Sequence, residues 1–408
     1  MDKLMKILHT SDWHLGQYFM MKTRESEHLH FLNWLIEVVN KQQIDALIVA
    51  GDIFDSASPP SYARKLYSDF IVRLQKSSCR QLIIMAGNHD SIAVLNENKD
   101  LLKALDVSVL AGLSDDLNEH IIELKDDRQN TQALVCALPF LRAADVMRSV
   151  QGSSAADKQI SLQQGIADTY QSIFELANAQ CHEKALPIIA TGHLTAVGCS
   201  VSDSVREIYI GTLTAFPAVL FPAFNYIALG HLHRAQKVQK TDHIRYCGSP
   251  IALSFDETRQ QKNINIIEFD TNNALTVNET VIPVFQRMQV ISGDLESVIE
   301  QLQELKKELA GESAWIEVKL KQAFYLSDVH ALLNEQVQES QIEILKISSP
   351  TINEKNQYQA ADKSTLDNLT PADLFQHRLQ IEDSYSDQQR EQLTKLFAEV
   401  CSEVEHKS

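Results

Sequence analysis

The chain has 408 residues, 44% of them hydrophobic, which is enough for a sizeable core and more than one domain of roughly 100–200 residues usually holds. Six cysteines without a CxxC pair argue against a disulfide framework or a thiolate zinc site, and no apolar run of about 18 residues marks a membrane span or secretory leader, so the cytoplasm is the expected compartment. A formal net charge of -17 argues against wrapping nucleic acid by bulk electrostatics, although residues 284–408, with 12 Lys and Arg against 22 Asp and Glu, carry more than half of the excess.

A short apolar strand at 6–8 leads into HTSDWHLG, which places Asp12 and His14 two residues apart. Taken alone this could be an Asx turn beside a surface histidine. The spacing of Leu29, Leu32, Leu35, Ile36 and Val39 predicts a helix over 24–43. The run Ala46–Ala50 is long enough for a buried strand and too short for a helix, and Gly51 and Asp52 follow at once. This is a βαβ unit whose strands both exit into aspartate. Asp55, three residues on, could orient a histidine or cap the turn.

Two prolines open the segment 58–75, and Tyr62, Leu66, Phe70, Ile71 and Leu74 form an apolar stripe along a helix there, for core packing or self-association. QLIIMAGNHDS then repeats strand and glycine before Asn88, His89 and Asp90. A helix and short strand are expected over 100–110, strands around 121–124 and 133–138, and a largely helical stretch over 142–183 with a Gly-Ser-Ser patch at 152–154. LPIIATGHLTA ends a strand in His193, and NYIALGHLHRAQ ends another in His231 and His233. The segment 245–255 reads as a strand closed by a Gly-Ser-Pro turn, and 264–270 as an edge-compatible strand.

After residue 283 the order is strand, helix, strand, helix, strand, which suggests a small α+β domain over 284–348. Residues 349–370 read as a linker. The tail 371–408 is expected to be helical, with Thr370 as N-cap and Pro371 in the first turn.

Five apparent strands therefore end in DWH, GD, GNHD, GH and GHLH. In open α/β folds this carboxyl edge is where ligands bind. Asp12, His14, Asp52, Asn88, His193, His231 and His233 mix carboxylate, imidazole and amide without thiolate, a set that suits Mn²⁺, Fe or Zn²⁺ better than Mg²⁺. One ion would leave several of them unused, so a dinuclear centre is preferred. Two metals can activate water and clamp phosphate oxygens. His89, flanked by Asp90 as its orienting carboxylate, is placed to stabilise charge or protonate a leaving group, or else serves as a further ligand or a supporting residue.

This arrangement resembles the calcineurin-like dinuclear metallophosphoesterases over residues 6–255, without a lost ligand. The resemblance implies a four-layer α/β sandwich, two mixed sheets flanked by helices. It also implies that Asp12, His14 and His233 hold one metal, that Asn88, His193 and His231 hold the second, that Asp52 bridges them, and that His89 faces the leaving group. HTSDWHLGQ, VAGDIFDSASPPSYARKLY, IYIGTLTAFPA and RYCGSPIALSFDE are similar, more closely, to the Mre-type DNA repair nucleases. That likeness implies two Mn²⁺ ions, with Mg²⁺ possible, and cleavage of DNA at duplex ends, hairpins and single strands. It further implies a homodimer whose contact involves 58–75 and 94–105, a nuclease domain over 1–283, and a DNA-facing cap over 284–348. The tail would dock on an ABC/SMC-type ATPase, in a cytoplasmic, nucleoid-associated complex. If the ATPase supplies much of the DNA-binding surface, the acidic charge is no obstacle. No GxxxxGK[ST] occurs, so ATP hydrolysis is not expected of this chain. A phosphomonoesterase or protein phosphatase, or a non-catalytic scaffold retaining the fold, is the alternative.

Overall fold

The computed structural model describes residues 5–147, 155–181, 185–200, 202, 205, 215–309, 311–322, 326–350, 393–394 and 396–397. The chain divides into two compact units, Met1–Pro350 and Thr351–Ser408. In the second unit 393–394 and 396–397 are helical. The rest of the expected tail, the linker beyond 350 and the patch at 152–154 lie outside the described residues.

Period-two alternation sorts the strand side chains into layers. The parallel strands Lys6–Thr10, Ala46–Ala50, Gln81–Met85 and Val107–Leu110 are neighbours in that order. Their residues Leu8, Leu47, Val49, Leu82 and Ile84 point to one side, where they pack with Phe31 and Leu35 of helix Glu25–Gln42 and Phe70 and Leu74 of helix Ser61–Leu74. The alternate residues Ile7, Ile48, Ile83 and Met85 point to the other side and share a core with Val135, Ile189, Tyr226 and Ala228 of a second sheet.

That second sheet is built on parallel strands Thr131–Cys136, Ile188–His193, Tyr226–Gly230 and Ile244–Tyr246. It turns Leu134, Cys136, Ile227 and Leu229 outward onto Leu162, Ile166, Tyr170 and Ile173 of helix Ala155–Cys181. Antiparallel strands flank both sheets. The outcome is the expected four-layer α/β sandwich of two mixed sheets between helices. Strands covered on both faces must be apolar throughout, which is why Ala46–Ala50 reads as an unbroken hydrophobic run.

The stripe of helix Ser61–Leu74 takes the first of its two readings, core packing: Leu66, Phe70, Ile71 and Leu74 are buried and Tyr62 packs against them. Two expectations need correction. Strand Asn263–Phe269 is interior, and the edge falls to Leu275–Val281, whose alternating polar residues suit solvent on one face. Leu29, expected on the buried face of its helix, is exposed. A small hairpin, Tyr18–Phe19 with Lys22–Thr23, has no signal in the sequence, because its turn uses Met20 and Met21 at positive φ where glycine or asparagine is usual.

Strands Arg287–Gly293, Ala314–Leu320 and Ile342–Ser348 form a separate three-stranded parallel sheet. It builds its own core, in which Val298, Leu302 and Leu305 of helix Leu295–Leu309 pack on Ile291, Ile316 and Val318. The buried Arg24 joins it to the larger sandwich. Its guanidinium lies 5.4 Å from the centres of both Phe19 and Trp315, pairs with Glu27, and donates to the Ala252 carbonyl at 2.9 Å. Among the described residues no helix is long and apolar enough to cross a membrane.

Candidate metal centre

Strands Lys6–Thr10, Ala46–Ala50 and Gln81–Met85 lie side by side, so the loops that leave them meet. The Asp12 and His14 amides donate to the Gly51 and Asp52 carbonyls, both at 3.0 Å, and the Leu15 amide donates to Ile53 at 2.9 Å. This zipper carries backbone strain. Asp12, His14, Asp52 and His231 sit at φ of 53°, 48°, 50° and 94°, a region that costs non-glycine residues about 1–3 kcal/mol each and is held only where the surroundings fix it.

The facing sheet delivers His193 at the end of one strand and His231 and His233 just beyond its neighbour. Close approach of the two sheets needs glycine here. A Cβ on Gly230 would meet the Ala50 carbonyl oxygen at 1.8 Å, and one on Gly87 would meet Asp52 Oδ1 at 2.1 Å.

The described structure brings the predicted set together at the mouth of these loops. Asp12, His14 and His233 offer ligand atoms all within 4.8 Å of one another, as do Asp12, Asp52 and His193, and also His14, Asp52 and His89. Asp52 Oδ2 lies 3.5 Å from His14 Nε2 and 3.2 Å from His193 Nε2, and Asn88 Oδ1 lies 3.0 Å from the same His193 nitrogen. The His231 ring is 5.3 Å from the His193 ring. Most of these groups are buried, whereas Asn88 is partly open to solvent.

The residues fit divalent ions. His14 Nε2 is buried without a hydrogen-bond partner, and the donor separations around Asp52 are those adopted by ligands that share an ion at about 2.1 Å. Asp52 stands between two such groups. Asp12, His14 and His233 could hold one ion, and Asn88, His193 and His231 the other.

Supporting bonds fix the histidine rings. Asp55 Oδ1 lies 3.2 Å from His14 Nδ1, so of its two open roles it takes that of orienting a histidine ring. The Ala50 carbonyl lies 3.1 Å from His193 Nδ1, and Glu257 Oε1 lies 3.3 Å from His233 Nδ1. Glu257 also accepts from Lys262 Nζ at 2.6 Å and from the Leu253 amide at 3.1 Å. Ser11 donates to Asp12 Oδ2, while Asp12 Oδ1 accepts the His231 amide at 2.8 Å. Ser11, Glu257 and Lys262 carry no signal of this kind in the sequence. Only the end of RYCGSPIALSFDE holds a trace of Glu257.

His89 and Asp90 divide differently from expectation. The Asp90 carboxylate accepts the amides of Ile53, Phe54 and Gly87 at 3.1, 2.9 and 2.8 Å, so it staples the Asp52 loop to the Asn88 loop. His89 Nδ1 instead meets the Asp55 carbonyl at 2.7 Å, and the His89 amide donates to Asp52 Oδ1 at 2.9 Å. A carboxylate committed to three backbone donors on the loop floor acts to position these loops.

Electrostatics follow from burial and neighbours. Burial alone would raise the Asp52 pKa, but His193, His14 and His89 outweigh it and hold the carboxyl well below its usual range. Burial would lower His193, yet the charge and hydrogen bond of Asp52 push it up to about 9, and His14 is raised against the same opposition by Asp55 and Asp52. Burial and the nearby His193 hold His231 well below the usual histidine range. Asp90 is pushed up to about 6 by burial and the Asp52 charge. A metal held by His14 and His193 would displace their protons, so its affinity is expected to tighten as pH rises toward 9. Calorimetry of Mn²⁺ binding in buffers of different ionisation enthalpy should show proton release at pH 7, and release that is absent or independent of pH would contradict this.

A carboxylate and imidazole cluster at the meeting edges of two sandwiched sheets defines a metal-dependent phosphoesterase of the calcineurin-like class. The family profile described as "Calcineurin-like phosphoesterase" matches residues 5–235, and one described as "Type 5 capsule protein repressor C-terminal domain" matches residues 284–383. SbcD, the D component of the SbcCD nuclease, from Escherichia coli K12 is 42% identical over 394 residues, covering 96% of this chain and 97% of that protein. SbcD of Rhodobacter capsulatus is 37% identical over 65% of this chain and 66% of its own. SbcD of Bacillus subtilis is 28% identical over 80% and 82%. The chain belongs to the SbcD nuclease family of calcineurin-like phosphoesterases.

Proposed function

We propose that the protein is the nuclease component of a DNA-processing complex and hydrolyses DNA phosphodiesters with two divalent metals, Mn²⁺ by preference. The observation that carries this reading is Asp52 Oδ2 standing between His14 and His193, with further donors on either side. Asp12, His14 and His233 would hold one ion and Asn88, His193 and His231 the other, with the Asp52 carboxylate serving both. When bound, such a pair neutralises phosphate charge and activates water.

The chain's own residues do the rest. His89 Nδ1 donates to the Asp55 carbonyl, which fixes the ring; in the imidazolium form Nε2 also carries a proton, which passes to the departing oxygen and leaves the ring neutral. Ser11 and the His231 amide hold both oxygens of Asp12, and Asp90 keeps the Asp52 and His89 loops in register. Residues 284–348 form the DNA-facing cap of the nuclease domain 1–283, and the tail 371–408, beyond the linker 349–370, docks on an SbcC-like ABC/SMC-type ATPase. Two copies of the chain assemble with that partner in the cytoplasm, where ATP governs access to duplex ends. Cleavage of hairpins and single strands is endonucleolytic.

Purified protein with Mn²⁺, alone and with the ATPase, is expected to cut labelled hairpin DNA. His89→Asn should lower turnover by about 10²–10⁴-fold with little change in Mn²⁺ binding. Turnover of p-nitrophenyl phosphate without any DNA cleavage would replace this reading with a phosphomonoesterase.

A further inference from the structure

A cavity of about 480 Å³ opens on the far side of the His231–His233 loop, in the seam where the edges of the two sheets diverge. One sheet gives it Asn263, Asn265 and Glu279, which the register sets on adjacent strands, with Asn265 opposite Glu279. The other gives Lys237 and Arg245, also opposite one another. Arg234 and Arg259 are exposed and complete the rim. The size is that of a small-ligand site.

Its polar groups are only partly satisfied. Arg245 is consumed by Glu279 at 2.6 Å and by Asp242 at 3.1 Å, and Lys237 by Asp242 at 2.5 Å. The ion pairs around the cavity use Lys237, Arg245 and Lys262, and among the described residues none involves Arg234 or Arg259. Four cationic side chains meet three acidic ones, Asp256 and Glu279 on the lining and Asp242 behind Lys237 and Arg245, so the cavity carries a small positive excess in a chain of net charge -17. Below the rim, the side-chain oxygens of Gln260 and of Asn263, which is 8% exposed, are buried without hydrogen-bond partners. A buried acceptor left unpaired costs about 1–3 kcal/mol, so each is open to a donor from a bound ligand or from water.

Free guanidinium groups at the mouth and unpaired amide oxygens beneath match one ligand chemistry: an anionic phosphate joined to a ring that carries N–H donors. We propose that this cavity binds a nucleoside monophosphate, free or as the phosphorylated end of a strand, with phosphate on Arg234 and Arg259 and the base on Gln260 and Asn263. The proposal rests on the nuclease reading for the source of the ligand, since a nuclease releases this class of product. The cavity is also tied to the catalytic cluster. Arg234 follows His233 directly, and the turn that carries Asp256 and Arg259 carries Glu257, the partner of His233 Nδ1. Occupation of the cavity therefore bears on a ligand histidine, which makes it a product-sensing site.

The test is calorimetry on the full-length protein, with and without Mn²⁺, using deoxyadenosine monophosphate, inorganic phosphate, deoxyadenosine and a 5′-phosphorylated oligonucleotide. The mononucleotide is expected to bind without metal and to bind more tightly than either of its parts. Arg259→Glu should weaken it at least tenfold, and Lys41→Glu, a charge reversal at a distant exposed site, should not. Tighter binding of the oligonucleotide, equally sensitive to Arg259→Glu, would support the strand end as the natural occupant. Binding unchanged in Arg259→Glu, or abolished by Asp52→Asn, would overturn the proposal. Protein that cuts no DNA yet binds through Arg259 would sink the nuclease reading and leave the cavity standing. Active nuclease indifferent to Arg259→Glu would do the reverse.

Discussion

Asp52→Asn is expected to abolish phosphodiester hydrolysis, by at least about a thousandfold or roughly 4 kcal/mol of transition-state stabilisation, while leaving the fold intact. The asparagine oxygen can still accept the His89 amide that Asp52 Oδ1 now holds at 2.9 Å, so the loop keeps its shape. What disappears is the charge at Oδ2, which faces His14 and His193 together. Two consequences separate this from general damage. Mn²⁺ stoichiometry should fall below two per chain. In the metal-free protein, His193, held up near 9 chiefly by Asp52 against the effect of burial, should titrate lower in the variant by NMR. Full activity with two bound metals would refute the bridging role.

The candidate ligands are legible in the sequence because each sits no more than four residues past the end of a short strand, and strand ends on one sheet edge must converge. Asp52, for example, is two residues past a strand whose every side chain is buried. Supporting groups follow no such rule. Glu257 lies on a short 3₁₀ turn with no periodicity, and reaches His233 only because the chain folds back from 24 residues away. Asp90 departs from expectation because adjacency in sequence suggests contact with His89, whereas its carboxylate turns to the amides of Gly87 and of residues 53 and 54. The apolar stripe of 58–75 is compatible with two uses on sequence grounds. Periodicity identifies a buried face but not what buries it, and here the first sheet does.

Glu257→Ala should be the most destabilising single change near the site, by about 3–5 kcal/mol in chemical denaturation, because it strands Lys262 as a buried unpaired charge. Burial lowers the Lys262 pKa, and Glu257 is the first of the groups that oppose it. The pair also gives stability a pH dependence. Burial alone would raise the Glu257 pKa, but His233 and Lys262 hold the carboxyl below its ordinary range. Its contribution is therefore fully present above that range and lost as pH falls below it, down through the depressed value of the folded chain, and Glu257→Ala should flatten this acid limb. Glu257 has a second duty at His233 Nδ1, where loss of such a partner typically weakens metal affinity about 10–100-fold. The two duties can be pulled apart. Glu257→Leu combined with Lys262→Met removes both charges, so much of the lost stability should return. Metal affinity should not return, because the His233 ring still lacks its acceptor. Recovery of both in the double variant would mean that Glu257 serves the fold alone.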